Sequence, residues 1–105
     1  MAAGINNPVM QVSPMYETVA AGQTAQVLGT NGATGDFISG ILVVPTGTPG
    51  NVTLIDGSTS IVVFTGTAAT VAPVYIPLGI FSTTGPWKIT TGSNVTAIAM
   101  GSFSV

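Results

Sequence analysis

Asn51-Val52-Thr53-Leu54-Ile55-Asp56-Gly57-Ser58-Thr59-Ser60-Ile61-Val62-Val63-Phe64 is the stretch that decides the fold class. Two runs rich in β-branched residues, Asn51 to Ile55 and Ser60 to Phe64, flank Asp56-Gly57-Ser58. An Asp-Gly pair favours the positive φ angles of a tight antiparallel reversal. A hairpin is expected here, and the rest of the chain has the same texture.

Working towards the N-terminus, Phe37-Ile38-Ser39-Gly40-Ile41-Leu42-Val43-Val44 is apolar on both faces near its end and stops at Pro45, as a central strand leaving a core would. Thr46 to Gly50 supplies the turn that follows. Gly29 to Gly35 reads as a loop, because Gly and Asn accept the φ angles that tight turns demand. Gln23 to Leu28 alternates Ala25 and Val27 against Thr24 and Gln26, the period of a half-buried strand, and Tyr16 to Val19 precedes it across an Ala21-Gly22 turn.

Towards the C-terminus, Pro73 to Phe81 carries Pro77 and Gly79, so it reads as an edge strand or a bulged one, since proline cannot donate to a ladder. Trp87 to Thr90 is a short strand before a Gly92-Ser93-Asn94 turn. Val95 to Val105 alternates Val95, Ala97, Ala99, Gly101, Phe103 and Val105 against Thr96, Ile98, Met100, Ser102 and Ser104, which makes a long closing strand. About seven or eight strands with turns every eight to twelve residues imply an all-β sandwich or small barrel. A jelly-roll-like antiparallel β-sandwich is the specific expectation.

The chain of 105 residues is one domain in length. Its charge is exceptional. Only 4% of residues are charged, against roughly 25% in ordinary soluble domains, while the apolar share of 46% is usual. Thr, Ser, Gly, Asn and Gln take the place of the charges, leaving little to oppose association. Such a surface is expected to be covered by partners, the alternative being a monomeric but adhesive sandwich. A net charge of −2 and a single lysine remove the attraction to phosphate that dominates nucleic-acid binding, so no nucleic-acid partner is expected. No apolar run approaches the roughly 18 to 20 residues of a membrane-crossing helix, and no membrane partner is expected. Met1 to Pro8 has neither the basic nor the continuous apolar region of a secretory signal, which fits synthesis in a cytoplasm.

Catalytic chemistry has few carriers. Without histidine or cysteine, nucleophilic catalysis would fall to a hydroxyl beside Lys88, and that lysine follows Trp87, along whose ring its stem could lie. Glu17, Asp36 and Asp56 fall in separate strands or turns, unlike the paired acids of glycoside hydrolysis. Asp56 is explained by its hairpin, Asp36 by capping turn amides, and Glu17 has no assignable role. The loop Gly29 to Gly35 resembles a phosphate loop only superficially, since Asp36-Phe37 stands where Lys-Ser/Thr is needed. Catalytic residues, cofactors and metals are therefore all expected to be none. Asn51-Val52-Thr53 and Asn94-Val95-Thr96 match the glycosylation tripeptide, but read as strand starts. Trp87, Tyr16 and Tyr75 could form a sugar-stacking platform, although isolated aromatics in sandwiches more often belong to a core or interface.

Residues 1–15 read as an extended arm and residues 16–105 as the sandwich domain. The arm is uncharged and offers Val9, Met10, Val12 and Met15, running into Tyr16. Methionine adapts to irregular apolar surfaces, and a proline-bearing chain loses less entropy on docking. Candidate partner contacts are Val9, Met10, Val12, Met15, Tyr16 and Trp87. With Asn7 to Met15, Gly22 to Leu28, Phe37 to Pro45, Gly50 to Gly57 and Gly85 to Gly92 taken together, the chain resembles the small head-decoration, or cement, proteins of tailed bacteriophages. That resemblance implies a non-enzymatic sandwich, often trimeric, on the outer surface of a virion. Its partner would be the major capsid protein, whose neighbouring subunits the terminal arm clamps. The runner-up is a small carbohydrate- or receptor-binding sandwich of a phage fibre or bacterial surface assembly.

Overall fold

A computed structural model describes residues 15–105, and the described chain is all-β. Its eight strands are β1 (Met15–Val19), β2 (Gln26–Val27), β3 (Phe37–Pro45), β4 (Val52–Asp56), β5 (Thr59–Phe64), β6 (Val74–Phe81), β7 (Trp87–Thr91) and β8 (Val95–Ser102). They form two antiparallel four-stranded sheets, ordered β1-β8-β3-β6 and β2-β7-β4-β5. One simple object generates that order. The pairs β4·β5, β3·β6, β2·β7 and β1·β8 are the successive rungs of a single long hairpin doubled back after Asp56. Winding it up brings β8 against β3 and β7 against β4, which closes the two sheets.

The reversal itself is tighter than the sequence suggests. Asp56 pairs with Thr59, so the loop is Gly57-Ser58, with Gly57 at φ +61° and Ser58 outside the positive-φ set. Glycine at the first central position is the type II′ arrangement, whose twist matches that of the flanking strands. Asp56 thereby ends β4 instead of forming the turn, and its carboxylate is free for another task.

Three further boundaries differ from the sequence reading, each for a local reason. The strand expected over Gln23 to Leu28 shrinks to Gln26–Val27, because Ala25 adopts φ +48°. The amides of Gln23 and Ala25 donate to the hydroxyls of Thr91 and Thr90 at 3.0 and 2.9 Å. The ladder of β8 stops at Ser102, because Ser104 turns aside: its amide donates to Asp36 Oδ2 at 2.8 Å and its carbonyl accepts from Asn31 N at 3.1 Å. Met15, assigned to the arm by its sequence, is the first residue of β1. Residues 1–14, with the candidate contacts Val9, Met10 and Val12, lie outside the described residues.

As expected, β3 is central and β6 is an edge strand. β6 is also bulged, with Ile38 opposite Ile80 but Gly40 opposite Pro77, and Gly79 at φ +69° takes up the extra residue. A bulged edge strand is where a proline, which lacks an amide to donate, is tolerated.

Both sheets contribute to one core. Val19, Ile38, Ile41, Val43, Val95, Ala97 and Ala99 from the first sheet meet Val52, Leu54, Trp87 and Ile89 from the second. Burying each of the larger aliphatic side chains contributes about 1.5–3 kcal/mol, so this layer is what holds the sheets together. Trp87 is 2% exposed and its Nε1 donates to the Asp36 carbonyl at 2.9 Å. The sequence reading of Trp87 as a partner contact is thereby corrected: the indole is a core group whose polar edge is already satisfied.

Candidate interface on the β1-β8-β3-β6 sheet

The four charged residues are spread over the fold, and each carboxylate is occupied by the protein itself. Asp36 accepts from the Ser104 amide at 2.8 Å, the Ser104 hydroxyl at 2.6 Å and the Ala33 amide at 3.0 Å. Burial pushes its carboxyl upward, but the hydroxyl and amide of Ser104 and the amide of Ala33 outweigh that, and the pKa falls below the ordinary 3.8. Asp56 accepts from the amides and hydroxyls of Thr83 and Thr84 and from the Gly85 amide, at 2.9–3.2 Å. Led by the Thr83 amide, these donors overcome a desolvation penalty and hold its pKa at about 2. Asp56 thus fastens the β6–β7 loop to the β4–β5 hairpin. Glu17, which has no role legible in the sequence, joins the sheets on the β1/β2 side: Gln26 Nε2 and the Gly29 amide donate to it at 2.9 and 2.7 Å.

The amides of the Gly29 to Gly35 loop are committed in the same way. Its Gly29 amide donates to Glu17, its Ala33 amide to Asp36, and its Gly35 amide to Ser82. A phosphate would need those same amides. Lys88 lies on β7 between buried Trp87 and Ile89, and successive strand side chains point to opposite faces. Its stem therefore runs away from the indole, contrary to the packing the sequence suggests. Among the described residues no three acidic side chains gather into a group able to hold a metal ion, and none forms a helix able to cross a membrane. Asn51 and Asn94 directly precede β4 and β8, as strand starts should, and their side chains bind Gly66 N and the Thr48 carbonyl.

What remains is surface. On β8 the small residues Ala97, Ala99 and Gly101 are buried while Ile98 and Met100 face outward. Across the sheet, Thr18, Ile98, Leu42 and Tyr75 form one register row. Tyr16 and Met100 form the next, beside the bulge at Ser39. Phe37 and Phe81 pair at the far end with ring centroids 5.0 Å apart. Met15, Tyr16, Ser39, Leu42, Ile98 and Met100 line a shallow groove of about 560 Å³ on this face. Tyr16 is 72% exposed. No charged side chain belongs to these rows. The outer face of the other sheet is different, with Val27, Lys88, Ile55 and Ser60 in one row and Thr90, Thr53 and Val62 in the next.

Of the contacts chosen from sequence, the structure brings Met15 and Tyr16 together at this groove and removes Trp87 to the core. Leu42, Ile98 and Met100 were missed. Their signal lay in the closing strand, where the small side chains share one face and the large ones the other. A sugar platform is not assembled: Trp87 is buried, and Tyr16 on β1 lies three strand spacings, roughly 14 Å, from Tyr75 on β6. Compared with known proteins, the chain matches no family model, no curated protein and no solved structure.

Proposed function

We propose that this chain is a non-enzymatic structural protein that decorates and stabilises the outer surface of a phage capsid, acting as a homo-oligomer, with a trimer favoured. In this reading the major capsid protein is the partner and the two sheets form a jelly roll. The observation that carries the proposal is the charge-free apolar outer face of the β1-β8-β3-β6 sheet. A contiguous apolar face without charge is the kind of surface on which another protein sits. Little repulsion opposes contact there, because none of the four charged side chains stands in the rows of this face. The nested pairing of β1·β8 through β4·β5 supports the jelly-roll reading, since that architecture is a rolled eight-stranded double sheet.

Co-sedimentation with empty heads of the phage encoding the chain tests the proposal. The native chain is expected to pellet with the heads at saturation. The variant Leu42→Lys/Ile98→Lys places two ammonium groups on the contact face and should bind at least ~100-fold more weakly. Equal binding by both proteins would remove this face from the interface, and no binding by the native chain would end the capsid reading.

A further inference from the structure

The side of the molecule formed by β5 and β6 is open to its core. Ile61 pairs with Leu54, Val74 with Val43 and Ile80 with Ile38, and paired residues in a sheet share a face. Leu54, Val43 and Ile38 are fully buried, yet Ile61, Val74 and Ile80 on the same inner face are 43%, 40% and 40% exposed. At one end the gap widens into a cavity of about 390 Å³ walled by Val63 and Phe64 of β5 and by Val74 and Ile76 of β6. The opposite side is shut, with Val19 and Leu28 at 0% beneath the Glu17 bridge.

Edges differ in the same way. β2 is two residues long, and β6 is interrupted by Pro77 and the bulge at Gly79. β5, Thr59–Phe64, is an edge strand with no proline, glycine or charge, which leaves its outer amides and carbonyls open to another strand.

We propose that this seam receives residues Val9–Ser13 of a second copy of the chain, added as a strand beside β5. The proposal rests on the assembly reading given above but needs no capsid. Val9-Met10-Gln11-Val12-Ser13 is uncharged like the seam, and Pro8 and Pro14 bound it, so a ladder formed by the five residues ends cleanly at both sides. In extended chain Met10 and Val12 share one face, which enters the gap beside Ile61, while Gln11 faces out. The donor cannot be the same molecule. Met15 opens β1 at the far edge of its sheet, three strand spacings or roughly 14 Å from β6, whereas Ser13, two residues earlier, reaches only about 7 Å. The β1·β8 register, continued, would set Val12 opposite Ser104, whose amide is already given to Asp36 and whose carbonyl accepts from Asn31. This is strand addition of the kind that completes pilin sandwiches.

The test uses the full chain, which has no cysteine of its own. Sedimentation should show a mass that rises with concentration. Met10→Asp/Val12→Asp should raise the dissociation constant at least ~100-fold, while at dilutions where both proteins are monomeric the urea midpoints should coincide. Chains carrying Val12→Cys mixed with chains carrying Ile61→Cys should give a two-chain adduct with a short bismaleimide. An adduct within one chain at high dilution, when both cysteines are placed together, would overturn the proposal by showing the segment seated on its own molecule. So would self-association indifferent to Met10→Asp/Val12→Asp, or a native chain monomeric at every concentration. Head binding separates the two readings: a monomer that binds heads refutes the seam and self-association but leaves the capsid partner standing, and a self-associating chain that ignores heads refutes the capsid reading alone.

Discussion

Replacing Asp36 with alanine should loosen the C-terminal end of the fold more than any other exchange of a charged residue. The carboxylate holds the Ser104 amide, the Ser104 hydroxyl and the Ala33 amide at 2.6–3.0 Å. Hydrogen bonds to a charged group contribute about 1.5–3 kcal/mol each, and at this half-buried site three of them acting on two residues give a loss of about 3 kcal/mol. If Phe103, 3% exposed, leaves the core with Ser104, the loss rises towards 5 kcal/mol. Urea unfolding followed by the fluorescence of Trp87, the single tryptophan, is the assay. With a slope of about 1.5 kcal/mol/M, the midpoint should fall by about 2 M. Native-state emission should not change, because the indole donates to the Asp36 backbone carbonyl, which the substitution retains. The dependence on pH provides a second reading. The folded carboxyl titrates below its ordinary value, so its contribution is complete above pH 4 and is lost as pH falls through the folded pKa. Asp36→Ala should flatten that part of the acid profile. A midpoint shift under about 0.5 M, with the acid profile unaltered, would refute the assignment of Asp36 as the anchor of the C-terminal residues.

Two further exchanges probe other joints. Asp56→Asn should cost about 1 kcal/mol, kept low by solvent exposure, and should shrink the loss of stability between pH 4 and pH 2 by its own share and leave that of Asp36, as read from urea midpoints across that range. Gly101→Ala should cost about 3 kcal/mol, because its methyl group would meet the Phe37 carbonyl and the Ile38 Cα, so β8 and β3 would have to part at the bulge; thermal unfolding measures it.

Punctuation made much of the fold legible. Pro45 ends β3, Pro77 and Gly79 mark β6 as a bulged edge, and Gly57 fixes the hairpin on which the whole winding is centred. Contacts between distant residues were hidden. Nothing near Ala25 announces that hydroxyls from Thr90 and Thr91, more than sixty residues later, will claim the amides of its strand. Asp36 was readable as a turn cap through Ala33, but its hold on Ser104, 68 residues away, was not. Trp87 illustrates the same limit, since an aromatic in a short Thr-rich strand looks alike whether it faces a partner or a core. For the candidate interface the information was present in the alternation of β8. Its meaning emerged only when the register set Ile98 beside Leu42 and Met100 beside Tyr16.

Hydroxyl-radical footprinting of the chain, free and bound to empty heads, tests the central claim most directly, because methionine and tyrosine report their own solvent access. The account predicts that Tyr16 and Met100, on the apolar face, lose reactivity on binding while Val62 and Lys88, on the opposite face, keep theirs. Protection of Val62 and Lys88 with Tyr16 and Met100 still labelled would contradict it.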